Sequence, residues 1–236
     1  MIIQYYFKKR GLKYKDMSKK ILYLVTIFVA MLSLSGICLA DQFCNSQGCV
    51  EFPGGVSSFA DAVVSYNVGT GGVTDPYKIT SSALGAPDYD GVVSHAGYVS
   101  LGSGGSIVLQ FTNNSLTGSG NSNLDLWIFE VGPDVEDTFV DISKDGTTWT
   151  NVGKVAGSTS GIDIDSYGFG TSDFFSFVRL TDDKYEGSTT GATAGADIDA
   201  IGAITTAPPV SAPEPTTMLL LGLGLLGLVG IRRKMK

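Results

Sequence analysis

The chain has 236 residues, with 16 Lys or Arg against 23 Asp or Glu, and a formal net charge of −7. The basic residues cluster at the two ends, so the stretch from Asp41 to Ala212 has 21 acidic residues and only five basic ones, which excludes nucleic acid as a partner. A single histidine, His95, excludes multi-histidine metal sites and most histidine-based catalysis, while 31 glycines indicate turn-rich β structure.

The N-terminus has the three parts of a secretory signal peptide, and Met17 is the start that fits them best. Lys19 and Lys20 supply the positive region, residues 21–34 are apolar, and small residues precede a cleavage point before Asp41. An apolar stretch of this length is short for a membrane span, so we expect residues 1–40 to be a cleaved signal peptide. An uncleaved membrane anchor is the alternative.

Cys44 and Cys49 are the only cysteines after residue 40, and four residues separate them. In an exported protein such a pair is expected to form a disulfide. A metal-binding or catalytic pair is the alternative, although the sequence offers neither a neighbouring histidine nor a second cysteine pair.

Residues 41–206 are predicted to form one all-β domain. Short apolar or alternating segments recur between loops rich in Gly, Ser, Asn and Asp, and no stretch keeps a 3.6-residue period over three turns. Asp145-Gly146 between two such segments is a strong β-hairpin signal. The predicted strands are residues 106–111, 125–131, 139–143, 147–152, 174–180 and 198–204, a pattern typical of a β-sandwich or jelly roll.

The Ser-x-Asp-Gly-x-x-Trp hairpin at residues 143–149 and the Val-Arg-Leu strand at residues 178–180 are similar to those of discoidin (coagulation factor 5/8 C-terminal type) domains. Over about residues 60–204 the order of short segments also resembles a recurrent bacterial cell-surface module. The resemblance implies a galactose-binding-like jelly roll, which favours a non-catalytic domain that binds envelope or matrix polysaccharide. A purely structural matrix component and a glycan-acting hydrolase are the alternatives.

Asp197 and Asp199 alternate with small or apolar residues, which predicts that both carboxylates leave one face of a strand about 7 Å apart. Such like charges require a cation or solvent. Asp182 and Asp88 are predicted loop carboxylates that could converge on the same ion, and oxygen ligands favour Ca²⁺. These four residues are the predicted calcium ligands, with exposed, solvated carboxylates as the alternative. The segment at residues 163–168 begins like a calcium loop but lacks its later ligands.

Catalytic chemistry has no assembled motif in this sequence. His95 has no paired nucleophile, no Gly-x-Ser-x-Gly turn is present, and nothing selects a catalytic pair among the carboxylates. We therefore expect no enzymatic activity. Tyrosines in polar loops could stack on sugar rings, although they are also common where loops meet the core: Tyr89, Tyr98, Tyr167 and Tyr185.

The C-terminus has three parts in a fixed order. Residues 207–215 are a Pro-rich linker that ends in Pro213-Glu214-Pro215, residues 218–231 are an apolar run with four glycines, and a basic cluster follows. That cluster, Arg232-Arg233-Lys234, is expected to hold the end on the cytoplasmic side of a membrane. We expect residues 216–236 to be a transmembrane helix with a basic tail, too short for a durable anchor.

This tail resembles the PEP-CTERM sorting signal of Gram-negative bacteria, for which the Pro-Glu-Pro motif is named. The resemblance implies that an exosortase cleaves near the motif and that the protein then reaches the cell surface or the extracellular matrix. The residues that would direct sorting and processing are Pro213, Glu214, Pro215, Arg232, Arg233 and Lys234.

Overall fold

The computed structural model describes residues 40–45, 48–131 and 136–208. The predicted signal peptide up to residue 39, the Pro-Glu-Pro motif and the predicted membrane helix lie outside these ranges. Within the described ranges, no helix is both long enough and apolar enough to cross a membrane.

Secondary structure in the described residues consists of short strands and single-turn 3-10 helices, which confirms the all-β prediction. The 3-10 helices lie at Gly55–Ser58, Thr80–Ala83, Val93–His95 and Ile164–Tyr167. The strands are β1 (Asp41–Asn45), β2 (Gly48–Phe52), β3 (Ala62–Asn67), β4 (Val99–Ser100), β5 (Ser106–Gln110), β6 (Ser115–Leu116), β7 (Leu126–Glu130), β8 (Asp137–Ser143), β9 (Thr150–Ala156), β10 (Ser160–Ile162), β11 (Phe177–Asp182), β12 (Asp197–Ala203) and β13 (Thr206–Ala207).

Two antiparallel sheets contain most of these strands. One has four strands in the order β10-β7-β12-β4, and the other has five in the order β3-β5-β11-β8-β9. The pairs β1-β2 and β6-β13 form two smaller sheets. Val178 of β11 pairs with Leu109 of β5 on one side and Ile142 of β8 on the other, so β11 is the central strand of the larger sheet.

The inner faces of the two large sheets share one hydrophobic core. Along β11, Val178 and Leu180 are fully buried, while Arg179 between them is half-buried. Ile128 of β7 and Ile201 of β12, from the four-stranded sheet, belong to the same buried cluster. The period-two alternation of the sequence therefore packs the two sheets face to face as a β-sandwich.

The predicted hairpin at Asp145-Gly146 is present, but its turn is longer than expected. Strands β8 and β9 pair in antiparallel fashion and are joined by residues 144–149, so the return strand begins at Thr150 instead of residue 147. The reason is local, because the Asp145 carboxylate accepts hydrogen bonds from the amides of Thr147 and Thr148 and keeps both residues in the turn.

The β1-β2 hairpin and the turn after it cover the outer face of the four-stranded sheet. The rings of Phe52 and Phe59 lie 4.7 Å apart, and both lie about 6 Å from Phe129 of β7. A Cβ at Gly202 of β12 would lie 2.6 Å from the Phe52 ring, so this position requires glycine. Because both faces of the sheet are covered, every residue of β12 is buried.

Cys44 and Cys49 are direct cross-strand partners in the β1-β2 hairpin and are joined by a disulfide. The bond links β1 to β2, and β2 carries Phe52, which packs on the outer face of the four-stranded sheet. It is therefore placed to hold this cover together.

Candidate functional site

The four carboxylates predicted to bind calcium are spread over three elements. Asp197 and Asp199 are both almost fully buried in β12, Asp182 ends β11, and Asp88 lies in the loop before β4. The pairing of β12 with β7 shifts register at residues 198–200. This bulge removes the regular alternation that would have placed Asp197 and Asp199 on one face, and the two carboxylates meet different partners.

Asp199 holds the loop that contains Asp88. Its Oδ1 accepts the amide of Asp88 at 3.1 Å, and its Oδ2 accepts the amide of Tyr89 at 3.4 Å. Burial raises the pKa of Asp199 to about 7, while the two amide donors oppose that rise. The geometry gives Asp199 the role of an acceptor for loop amides.

Asp197 lies against β4, where its Oδ1 accepts a hydrogen bond from the hydroxyl of Ser100. Burial raises its pKa to about 8, and the negative charges of Glu136 and Asp182 add to the rise. Tyr66 and Tyr98 lie close enough for the charge of Asp197 to raise their pKa values as well, although burial is the larger cause for both.

Asp182 accepts the amides of Gly104 and Ala196, each at 2.8 Å. Burial raises its pKa although these donors oppose the rise. Each buried member of the predicted calcium set thus already accepts hydrogen bonds from the protein. The described residues do not bring the four carboxylates together as one set of ligand oxygens, and calcium binding by this set stays a prediction.

A different acidic group is brought together by the fold. In the described part of the chain, one carboxylate oxygen each of Asp125, Asp163 and Asp165 lie within 4.8 Å of one another. The oxygens of Asp125 accept hydrogen bonds from the Ile164 amide and the Thr205 hydroxyl, both at 3.0 Å. Through these two hydrogen bonds, Asp125 ties the β10-β11 connection to the end of β12.

Glu130 and Glu136 are buried acidic residues that sequence reasoning did not single out. Glu130 is 2% exposed at the end of β7, and Glu136 is 4% exposed just before β8. Burial raises the pKa of Glu130 to about 9, with contributions from the adjacent carboxyl group of Glu136 and the charge of Asp197. The only hint in the sequence was a glutamate at the end of an otherwise apolar strand.

A cleft of about 300 Å³ opens beside the turn between β8 and β9. Its aromatic wall is formed by Phe169 and Phe175, whose rings meet edge to face with centroids 4.9 Å apart. Phe175 is buried and Phe169 is half-buried, so the pair joins the cleft to the core. The remaining lining residues are Ile142, Ser143, Lys144, Asp145, Thr148 and Thr150.

The polar wall of the cleft is fixed by hydrogen bonds within the turn. Asp145 accepts the amides of Thr147 and Thr148 at 2.8 and 2.7 Å and the Thr148 hydroxyl at 3.2 Å. These backbone donors hold the pKa of Asp145 far below its usual range. Lys144 bonds Asp173 at 2.7 Å, and its ammonium lies 5.2 Å from the centre of the Phe175 ring.

The four tyrosines considered as sugar platforms have different exposures. Tyr98 is 2% exposed and packs between Tyr77 and Tyr89, so it has no free face to offer. Tyr167 and Tyr185 are 47% and 81% exposed. None of the four lines the cleft.

Two of the known structures similar to this chain contain a domain named CBM32. The CBM32 of AlyQ, solved in complex with 4,5-unsaturated mannuronic acid, is 11% identical over 61% of this chain and 96% of its own, with a TM-score of 0.35. A truncated AlyQ with CBM32 and alginate lyase domains is 15% identical over 66% of this chain and 34% of its own, with a TM-score of 0.36.

A third similar structure is the C-terminal domain of a chitobiase from Bacteroides fragilis, which is 13% identical over 61% of this chain and 95% of its own, with a TM-score of 0.33. These TM-scores are low, and the strand order of the two large sheets in this chain itself defines the fold. No curated protein matches the sequence.

The C-terminus matches a family model. The model is described as a PEP-CTERM protein-sorting motif and matches residues 211–234. The matched range contains Pro213-Glu214-Pro215, the apolar run and the basic cluster. The chain therefore carries a PEP-CTERM protein-sorting motif at its C-terminal end.

Proposed function

We propose that this protein is exported, processed by an exosortase, and displayed at the cell surface or in the extracellular matrix of a Gram-negative bacterium, where its β-sandwich binds polysaccharide without catalysis. In this proposal residues 1–40 are the signal peptide, 41–206 the binding domain, 207–215 the linker and 216–236 the temporary membrane tether. The sandwich is a galactose-binding-like jelly roll. The cleft beside the β8-β9 turn is the observation that supports binding.

The size and lining of the cleft fit a sugar. A volume of about 300 Å³ is at the lower end of the range for small-molecule sites, enough for roughly one sugar ring. The exposed face of Phe169 offers an apolar surface for the C–H groups of a pyranose. The Lys144 ammonium has donors beyond the one directed to Asp173, and the Thr148 hydroxyl oxygen can accept a hydrogen bond.

The cleft is built for binding rather than for hydrolysis. Asp145 is the one carboxylate among the described residues that line it, whereas glycoside hydrolysis ordinarily uses two. Its depressed pKa, caused by the amides of Thr148 and Thr147, also keeps it ionised and unable to act as a general acid near neutral pH. This supports a non-catalytic role.

Glycan-array binding by the full chain, in detergent, tests the proposal. We expect binding to at least one envelope or matrix polysaccharide, without release of reducing sugar. Phe169→Ala should weaken that binding about tenfold, equivalent to about 1.4 kcal/mol. Phe174→Ala is the matched control, because Phe174 is exposed but does not line the cleft, and it should bind like the wild type.

Two outcomes would contradict the proposal. An array without any bound glycan would favour a purely structural component of the envelope or matrix. Equal loss of binding in the Phe169 and Phe174 variants, with unchanged melting temperatures, would place the binding site outside the cleft.

The sorting part of the proposal has its own test. C-terminal peptide mapping of surface-localised protein should find an end near residues 213–217. Replacing Pro213, Glu214 and Pro215 by Ala should leave the uncleaved protein in the membrane. Surface protein that retains Lys236 would instead identify the tail as an ordinary anchor.

A further inference from the structure

The outer faces of the two large sheets differ in their exposure to solvent. The four-stranded sheet lies under the β1-β2 hairpin, and every residue of its strand β12 is buried. The five-stranded sheet has an accessible outer face, where β8 and β11 alternate between buried and accessible residues. Antiparallel sheets commonly leave one face in water, so the side chains on this face decide whether it can bind a ligand.

Aromatic side chains lie at two levels of this outer face, along the paired strands β8 and β11. Phe139 of β8 pairs with Thr181 and is 39% exposed. Phe177 of β11 pairs with Ser143, four residues further along β8, and is half-buried. Four residues of a strand span about 13 Å. The two aromatic residues therefore mark the ends of a stripe that is longer than one sugar ring.

A fixed polar group lies between the two aromatic residues. Arg179 of β11 pairs with Asp141 of β8, and its Nε donates to Asp141 Oδ2 at 3.0 Å while its Nη2 lies 2.9 Å from the same oxygen. The guanidinium carbon also lies 4.6 Å from the centre of the Trp149 ring. A guanidinium has five N–H donors, so this oriented group can still donate to the hydroxyls of a ligand.

The charges on this face are paired within the protein. Arg179 is paired with Asp141, and Lys154 of β9 is paired with Asp137. Because residues 41–212 contain 21 acidic residues and five basic ones, an acidic polysaccharide would be repelled. A protein stacked on the face would have to bury the central ion pair, which carries a desolvation cost. An uncharged glycan can instead place C–H groups on the aromatic rings and hydroxyls at the guanidinium.

We propose that the outer face of the five-stranded sheet is a second glycan-binding surface, which holds an extended stretch of an uncharged polysaccharide across Phe139, Arg179 and Trp149. None of these three described residues lines the cleft beside the β8-β9 turn, so the surface is separate from that site. Hydroxyl and amide side chains on the neighbouring strands supply further hydrogen-bond partners: Ser106, Gln110, Asn151 and Thr181.

Affinity electrophoresis of the full chain in a non-ionic detergent tests the proposal. The gels contain dextran, galactomannan or a β-1,3-glucan as uncharged probes, and alginate or polygalacturonate as acidic probes. We expect at least one uncharged polysaccharide, and neither acidic one, to retard the wild type. Phe139→Ala should lower the affinity about fivefold, as expected for the loss of one aromatic contact, whereas Phe139→Tyr keeps the ring and should bind like the wild type. Phe174→Ala is the matched control, because Phe174 is 40% exposed but lies outside the strands.

The length of the glycan separates this surface from the cleft. Calorimetric titrations use single sugars and longer oligosaccharides of the polysaccharide that retards the wild type. Phe139→Ala should weaken binding of the oligosaccharides and leave that of the single sugar unchanged. Phe169→Ala should weaken binding of the single sugar, because Phe169 lines the cleft. Since Phe139 is exposed, its variants should retain the wild-type melting temperature.

Three results would overturn the proposal. The first is a wild type that none of the uncharged polysaccharides retards. The second is an affinity that Phe139→Ala leaves unchanged or lowers no more than Phe174→Ala does, and a loss in Phe169→Ala alone would then leave the cleft as the binding site. The third is a wild type that sediments as a dimer while Phe139→Asp sediments as a monomer, which would show that a second copy of the chain covers the face.

Discussion

The two ends of strand β8 hold carboxylates in opposite electrostatic environments. Just beyond its C-terminal end, Asp145 accepts backbone amides of the turn, and these donors hold its pKa far below the usual range. Just before its N-terminal end, Glu136 lies against Glu130, whose pKa is raised to about 9, mainly by burial. The seven residues of β8 therefore run from a buried acidic pair to a carboxylate that is stabilised in its charged form.

The number of hydrogen-bond donors and the access of water decide what an acidic residue does. Asp145 lies in a short polar turn whose own amides satisfy it, so it shapes the cleft wall. Glu130 is enclosed by strands from distant parts of the sequence, which exclude water and supply few donors. The first arrangement is local, whereas the second exists only in the folded domain.

The largest expected effect is a loss of stability as the pH rises. Glu130 and Asp197 have folded pKa values of about 9 and about 8, above their ordinary values of 4.5 and 3.8. The folded protein therefore retains protons that the unfolded chain has released, and the free energy of unfolding decreases with rising pH between about 4 and 9. We expect urea unfolding in EDTA to show a fall of several kcal/mol from pH 5 to pH 9. A flat profile would contradict these raised pKa values.

Glu130→Gln should remove part of that fall. Glutamine is a neutral replacement of similar shape, so the variant should be more stable than the wild type at pH 9 and within about 1 kcal/mol of it at pH 5. The same urea series measures both. Glu51→Gln, at an exposed position in β2, is the control and should follow the wild-type profile. An unchanged slope in Glu130→Gln would assign the pH dependence to other groups.

Asp145→Asn should produce a smaller effect with the opposite pH dependence. The folded pKa of Asp145 is lowered by backbone donors, so its contribution is present above about pH 4 and is lost as the pH falls. We expect the variant to melt at a lower temperature than the wild type at pH 7, and this difference to shrink steadily as the pH falls below about 4. A difference as large at pH 2.5 as at pH 7 would mean that the turn depends on shape and not on charge.

The smallest expected effect is that of Lys144→Met. The Lys144–Asp173 ion pair is exposed to solvent, so its loss should change the free energy of unfolding by less than about 1 kcal/mol. The pKa of Asp173, which Lys144 lowers, should rise toward its ordinary value, and NMR titration of the carboxyl group measures that rise. A large drop in melting temperature would instead give Lys144 a packing role over Phe175.

The local features of this protein were readable from its sequence. Short apolar or alternating segments bounded by turn residues identified the strands around Val108, Ile128, Val140 and Val178, because buried strands require apolar side chains on at least one face. The Asp145-Gly146 signal identified the β8-β9 hairpin, and the order of motif, apolar run and basic cluster identified the sorting tail.

Features that join distant segments depended on the tertiary structure. The bulge in β12 separates Asp197 from Asp199, and the cover of Phe52 and Phe59 buries both faces of that strand. Burial of Glu130 beside Glu136 and Asp197 likewise requires three strands to meet at one end of the sandwich. Six of the thirteen described strands, the hairpin and the sorting motif could be predicted from the sequence, since these follow from patterns and composition within short segments. Which carboxylates lose water and which find donors depends on the tertiary structure, because desolvation and charge interactions involve neighbours that are distant in the chain.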